Sequence, residues 1–167
     1  MFLQSGVLKI LDHSHRRKAA IFNASGGFLR KPFLELPEDV FSKSLDVSAN
    51  GGFLFSQATL PLLLKGVEQK SQHPPSLIFT GATASVKANA LMASFATGKW
   101  ALRALSQSLA KEFGPQGVHV SHAIIDGVID IPRTKEWLKD LGPDAKLSAD
   151  GVRISPSAPS HARSDFD

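Results

Sequence analysis

Three short apolar runs, each spilling into a loop of small residues, constrain this chain more than any other feature: KAAIFNASGG (18–27), PPSLIFTGATAS (74–85) and VHVSHAIIDG (118–127). A few apolar residues bounded by turn formers are the pattern of a buried strand. The first two runs are separated by LPEDVFSKSLDVSANGGFLFSQATLPLLLKGVEQK (36–70), with Pro37 and two acids where a helix N-terminus favours them and apolar Val40, Phe41 and Leu45 behind. Gly51, Gly52 and Pro61 interrupt it, so a long helix is expected to bend or break there and to pack closely at its glycines. The last two runs are separated by 93–113, where Phe95, Leu102, Leu109 and Phe113 recur at helical spacing, with Trp100 and Phe113 read as packing residues. Gly114 suits a left-handed cap and Pro115 cannot continue a helix. Strand, helix, strand, helix, strand is the order of an α/β fold built on right-handed crossovers and a parallel sheet.

Composition narrows the function classes. At 167 residues and 43% hydrophobic, the chain supports one domain with one core. The net charge of +4 comes from 19 basic and 15 acidic residues, scattered except in HSHRRK at 13–18, so no nucleic-acid footprint is expected. No cysteine is present, which excludes disulfides and thiolate metal sites. His13 and His15 have no third ligand near them in sequence and read as solvated. His119 and His122 read as core or sheet-facing residues. LPLLL at 60–64 is far short of the roughly 20 residues that span a bilayer, and MFLQSGVLKIL has no positive n-region, so no membrane association is expected and the cytoplasm is the default. The chain also has no tyrosine.

In an open parallel sheet, ligands sit beyond the carboxyl ends of the strands. NASGG, TGATAS and DGVIDIP occupy those places, and composition alone leaves open whether they are binding loops or ordinary strand-to-helix turns.

The stretch from about 18 to 140 resembles the second half of a short-chain dehydrogenase/reductase, an NAD(P)-binding Rossmann family. IFNAS resembles the family's Asn-Asn-Ala-Gly segment, with Asn23 and Ala24 kept, Phe22 for the first Asn and Ser25 for Gly. SANGGFLFSQATLP resembles its long helix, LIFTGATAS and FATGKWALRALSQSLAKEFGPQGVHV its active-site strand and helix, and IIDGVIDIP the loop that closes over the nicotinamide. The resemblance implies NAD or NADP as cofactor, held by Asn23, Ala24, Lys99, Asp126, Gly127 and Ile129, and a small alcohol or carbonyl as substrate. It also implies a homo-oligomer formed through the helices at 36–65 and 93–113.

The family's catalytic pattern is mostly replaced. Its Tyr-x-x-x-Lys falls on Phe95 and Lys99, its serine on Ala82 and its helix asparagine on Ser48. As the resemblance implies the mechanism, tyrosine moves a proton at the carbonyl oxygen, lysine holds the ribose and lowers the tyrosine's pKa, and serine polarises the carbonyl. A phenyl ring has no proton to give. Lys99, one helical turn beyond Phe95, is the surviving half of the pair. Ser94, Thr83 and Ser85 place hydroxyls near the matched site, and Lys99 could act itself if desolvation lowered its pKa. Lys99 and Ser94 are thus the candidate catalytic residues, Ser94 reading also as a polar residue at a helix start. Asp126 reads either as a turn former before Gly127 or as a cofactor contact.

The family opens with a strand and a glycine-rich turn that cradles the pyrophosphate, and no such pattern precedes KAAIFNASGG. The expectation is a partial Rossmann-like domain over 1–151, lacking the N-terminal βαβ glycine-rich unit, and a Ser- and Pro-rich disordered tail over 152–167. Two functions fit. One is an oxidoreductase, weak or inactive as this truncated chain. The other is a non-catalytic pseudoenzyme that binds a nucleotide or a partner subunit.

Overall fold

The computed structural model describes residues 19–69, 73–142 and 145–152. His13, His15 and the tail from 153 lie outside them. The chain divides into two compact units, 1–124 and 125–167.

The first unit holds the three expected strands in the order β1 (Ala19–Phe22), β2 (Ser76–Ala82) and β3 (His119–Ile125, whose last residue begins the second unit). β1 and β2 are parallel, with Ala19 opposite Ser76 and Phe22 opposite Phe79. β3 runs the same way, since His119 N–H donates to Pro75 O at one end while Gly81 lies against His122 and Ala123 at the other. Between β1 and β2 come α1 (Glu38–Leu45), one π-helical turn (Asp46–Asn50) and α2 (Gly51–Glu68). α3 (Ala93–Phe113) joins β2 to β3.

Alternation along the strands decides where the core forms. Ala20 and Phe22, Leu77 and Phe79, and Val118 and Val120 share one face and pack against Leu60 and Leu63 of α2 and Leu102 of α3. Leu77, Phe79 and Leu102 are fully buried, each stabilising the fold by about 1.5–3 kcal/mol. The intervening residues Ala19, Ile21, Ser76 and Ile78, on the opposite face, are half-buried.

Three expectations about helix geometry are corrected. The long helix breaks before its glycines, at the π-helical turn, not at Pro61; α2 runs straight through that proline. Pro61 and Gln57, whose carbonyl loses its partner there, both face solvent, where water replaces the missing bond. Gly114 is right-handed, and the positive φ after α3 belongs to Gly117, at 88°. Trp100 is about half exposed, whereas Phe113 does pack on the core. The glycines still serve close approach: a Cβ at Gly52 would lie 2.7 Å from a methyl carbon of Leu102.

The second unit carries a short parallel pair, β4 (Ile129–Asp130) with β5 (Leu147–Ser148). Buried Thr134 fastens the intervening turn, accepting from Ile131 N–H and donating to the Ile129 carbonyl. No helix among the described residues is long and apolar enough to cross a membrane.

Candidate functional site

Three buried polar residues of the first unit, Ser85, Ser94 and Lys99, lie where β2 ends and α3 begins. β2 delivers Thr80, Gly81 and Ala82 to the carboxyl edge, and a 3-10 turn, Thr83–Ser85, follows at once. α3 presents Ser94, Gly98 and Lys99 as buried residues of its first two turns.

Lys99 is the central group. It is 4% exposed, and its ammonium donates to the Thr80 carbonyl at 2.9 Å. Burial pushes its pKa from the ordinary 10.5 down to about 8, so near neutrality it is still mostly charged. An ammonium has three donors, and Thr80 takes one. The Phe95 ring centroid lies 5.8 Å from Nζ, within the range where a ring face attracts a cation. Phe28, from the loop after β1, meets the same ring edge-on at 5.2 Å.

Close helix packing seats the lysine. Gly98 faces Ser44 of α1 and Ser48 of the π-helical turn, and a Cβ there would overlap Ser44 Oγ and lie 3.1 Å from Ser48 Oγ. Ser48, on the position matched to the family's asparagine, is therefore buried against the helix turn that carries Lys99. π-helical turns of this kind occur often at functional sites.

Ser94, the other candidate catalytic residue, joins two segments of the first unit. It is fully buried, and its hydroxyl donates to Gly27 O at 2.8 Å, tying the loop after β1 to the start of α3. Lys31 N–H adds a second tie to Leu91 O at 3.2 Å. The same loop places Asn23 in solvent at the end of β1 and Ala24 half-buried beside the core. Asp126, Gly127 and Ile129 belong to the second unit. There Gly127 sits so close to Leu147 that a Cβ would lie 3.0 Å from its side chain, and Ile129 opens β4.

One residue of this corner was hidden in the sequence. His122 continues the core-facing series Val118, Val120, and its Nε2 lies 3.0 Å from Ser85 Oγ. Burial, then the Lys99 charge, then that of Arg103, push its pKa from 6.5 down to about 4, so the imidazole is neutral across the physiological range. The signal available was a histidine at a core-facing register, beside a strand that carries a glycine.

Among the described residues no cluster of three or more His, Cys, Asp or Glu side chains could hold a metal ion. A cavity of about 650 Å³ in the second unit is lined in part by Asp130, Lys139, Lys146 and Asp150. Lys146 is already paired with Asp130 at 3.3 Å.

Comparison with known proteins points the same way. The family model for short chain dehydrogenase matches residues 7–142. An uncharacterized oxidoreductase of Staphylococcus epidermidis is 32% identical over 156 residues, 91% of this chain and 64% of the relative. The 2-dehydro-3-deoxy-D-gluconate 5-dehydrogenase of Pseudoalteromonas atlantica is 28% identical over 120 residues, 72% of this chain and 44% of the relative. A short chain dehydrogenase structure from Salmonella enterica serovar Typhi superimposes with a TM-score of 0.64 at 27% identity, covering 76% of this chain and 50% of that one. A structure from Escherichia coli CFT073 complexed with NADPH gives 0.63 at 27% identity, covering 75% and 50%. The chain thus spans less than two thirds of the length of the curated relatives it matches.

Proposed function

Because the chain belongs to the short-chain dehydrogenase family of oxidoreductases, we propose that it binds a nicotinamide nucleotide, NADP or NAD, at the β2–α3 corner and acts, weakly, on a small alcohol or carbonyl. The observation that carries this reading is Lys99: a buried ammonium held on Thr80 O at the carboxyl edge of the sheet, with donors to spare. That donor set fits a ribose hydroxyl. Asn23 and Ala24 would flank the nucleotide at the end of β1. When bound, the nicotinamide would give or take the hydride.

The proton is the weak point. Phe95 offers only a ring edge and face, and Ala82 offers no hydroxyl, so neither moves a proton nor polarises a carbonyl. Among the described residues Lys99 is the only buried cation of the corner, and its pKa of about 8 suits general acid work near neutrality. A donor shared between ribose and carbonyl oxygen serves each less well than the family's separate groups would. Function that needs the ammonium declines as pH rises through about 8.

A second reading, a nucleotide-binding pseudoenzyme, is favoured by the same two replacements. Reduction of a panel of carbonyl compounds by NADPH or NADH separates the two. Slow turnover abolished by Lys99→Met supports the oxidoreductase. Cofactor binding with no turnover, in the wild type and in Phe95→Tyr alike, supports the pseudoenzyme.

The proposed homo-oligomer uses the outer surfaces of α2 and α3. Phe53, Leu54 and Leu62 of α2 and Trp100 of α3 are all exposed apolar side chains, and burying such a surface between two copies removes it from water. Sedimentation of the full chain tests it: a dimer that Leu54→Glu dissociates supports this face, and a monomer at every concentration rejects it.

A further inference from the structure

The corner contains a serine and a histidine within hydrogen-bond distance, an arrangement that elsewhere makes a nucleophile and its base. Here burial excludes that use. Ser85 is 0% exposed, so no substrate carbonyl reaches its oxygen, and His122 Nδ1 is a buried nitrogen with no partner, so nothing orients the ring as a base. The pair must act on the protein itself.

What it acts on is the end of β2. Ser85 Oγ accepts from the Ala82 N–H at 3.1 Å, which holds the backbone at the position matched to the family's serine. Two residues earlier, Thr80 O receives the Lys99 ammonium. The strand end is therefore gripped from both sides, by Lys99 at residue 80 and by Ser85 at residue 82. Gly81 lies between them, and a Cβ there would overlap His122 Nε2. Only a glycine leaves room for the imidazole to reach under the strand to Ser85.

The direction of the hydrogen bond follows from counting donors. If His122 Nε2 carried a proton toward Ser85, the serine hydroxyl proton would be left without an acceptor and Nδ1 would be left as an unpaired acceptor. If Nε2 accepts from Ser85 instead, the serine is fully used and only Nδ1–H stays unpaired. One buried orphan costs less than two. The groups that face His122 agree with a neutral ring: Lys99 and Arg103 from α3 are both cationic, and Gly81 and Ser85 carry no titratable group.

We propose that His122 is a positioning residue of this site, which, by accepting from Ser85, fixes the strand end on which Lys99 is docked and so keeps that ammonium out of water. Its bearing on activity rests on Lys99 being the group that meets the cofactor. The test reads Lys99 itself, so failure to bind any nucleotide would count against the function and leave the positioning role standing.

The experiment is NMR on the full chain, with ¹⁵N-labelled histidine and ¹³C-labelled lysine side chains, the Lys99 signal being the one lost in Lys99→Arg. In the native protein His122 is expected as the Nδ1–H tautomer. Lys99 is expected to titrate near pH 8. Ser85→Ala removes the donor, and His122→Phe removes the acceptor while keeping the bulk. Each should raise the Lys99 titration by about one unit or more toward the free lysine value of about 10.4, and the double variant should move it no further than either single change. A Lys99 titration unmoved in both variants, with only a lower melting temperature, would reduce the pair to ordinary packing and overturn the proposal. So would an Nε2–H tautomer in the native protein, a result that requires no variant to fold.

Discussion

The two halves of β2 are buried alike and built oppositely. In the first half Leu77 and Phe79 are fully buried among apolar side chains of α2 and α3. In the second half the same strand face continues through Gly81, and its surroundings are Lys99, His122 and Ser85. Burial of carbon stabilises. Burial of an ammonium costs free energy that one carbonyl only partly returns. The first half is what a fold requires. The second is a local expense that packing alone does not explain, and expense of that kind gathers at functional sites.

The largest effect that sharpens this comparison lies in the dry half. Phe79→Ala should lower unfolding stability by about 3–5 kcal/mol, measured by denaturant titration, and should leave the Lys99 titration where it is in the fraction that remains folded.

Next comes Phe95→Tyr, which restores a phenol one helical turn before Lys99. The new hydroxyl should raise carbonyl reduction about 100-fold or more, read as kcat/KM with NADPH or NADH. No gain would mean that the missing proton donor is not what limits the chain.

The pH dependence of stability should separate the halves as well. Lys99 has a folded pKa of about 8 against 10.5, so between those values the unfolded chain binds more protons. Stability therefore rises from about pH 8 to pH 10.5, by on the order of 3 kcal/mol. Lys99→Met should flatten that rise. His122, at about 4 against 6.5, gives a second rise from about pH 4 to pH 6.5, which His122→Phe should remove.

Gly81→Ala should cost about 1–3 kcal/mol by overpacking against the imidazole and the Ala123 carbonyl, and His122→Ala in the same chain should recover part of it. The smallest effect is Ser94→Ala, which unties Gly27 O from α3 at about 1 kcal/mol and should loosen the loop after β1 more than the core.

The sequence made the dry half legible because apolar alternation and helical spacing are local patterns. Ala20, Phe22, Leu77, Phe79 and Leu102 all carry them. Lys99 was legible too, through the resemblance and through the rule that desolvation lowers a lysine pKa. The break in the long helix was misplaced because glycine and proline are visible letters, whereas the π-helical turn at 46–50 answers to Ser44 and Ser48 packing on Gly98, a contact between segments some fifty residues apart. His122 was missed as a site residue for a similar reason. Its partner Ser85 lies 37 positions away, and nothing in HVSH says that a glycine on the neighbouring strand has cleared a space for it.

The measurement that tests the central claim most directly is a circular-dichroism melt of the full chain with and without excess NADPH and NADH, run beside Lys99→Met. A ligand of the native state stabilises it by mass action. If Lys99 is the cofactor-facing cation of this corner, one of the nucleotides raises the wild-type transition, and the variant, still folded, loses the response. A transition that neither nucleotide moves, or one raised equally in Lys99→Met, would contradict the account.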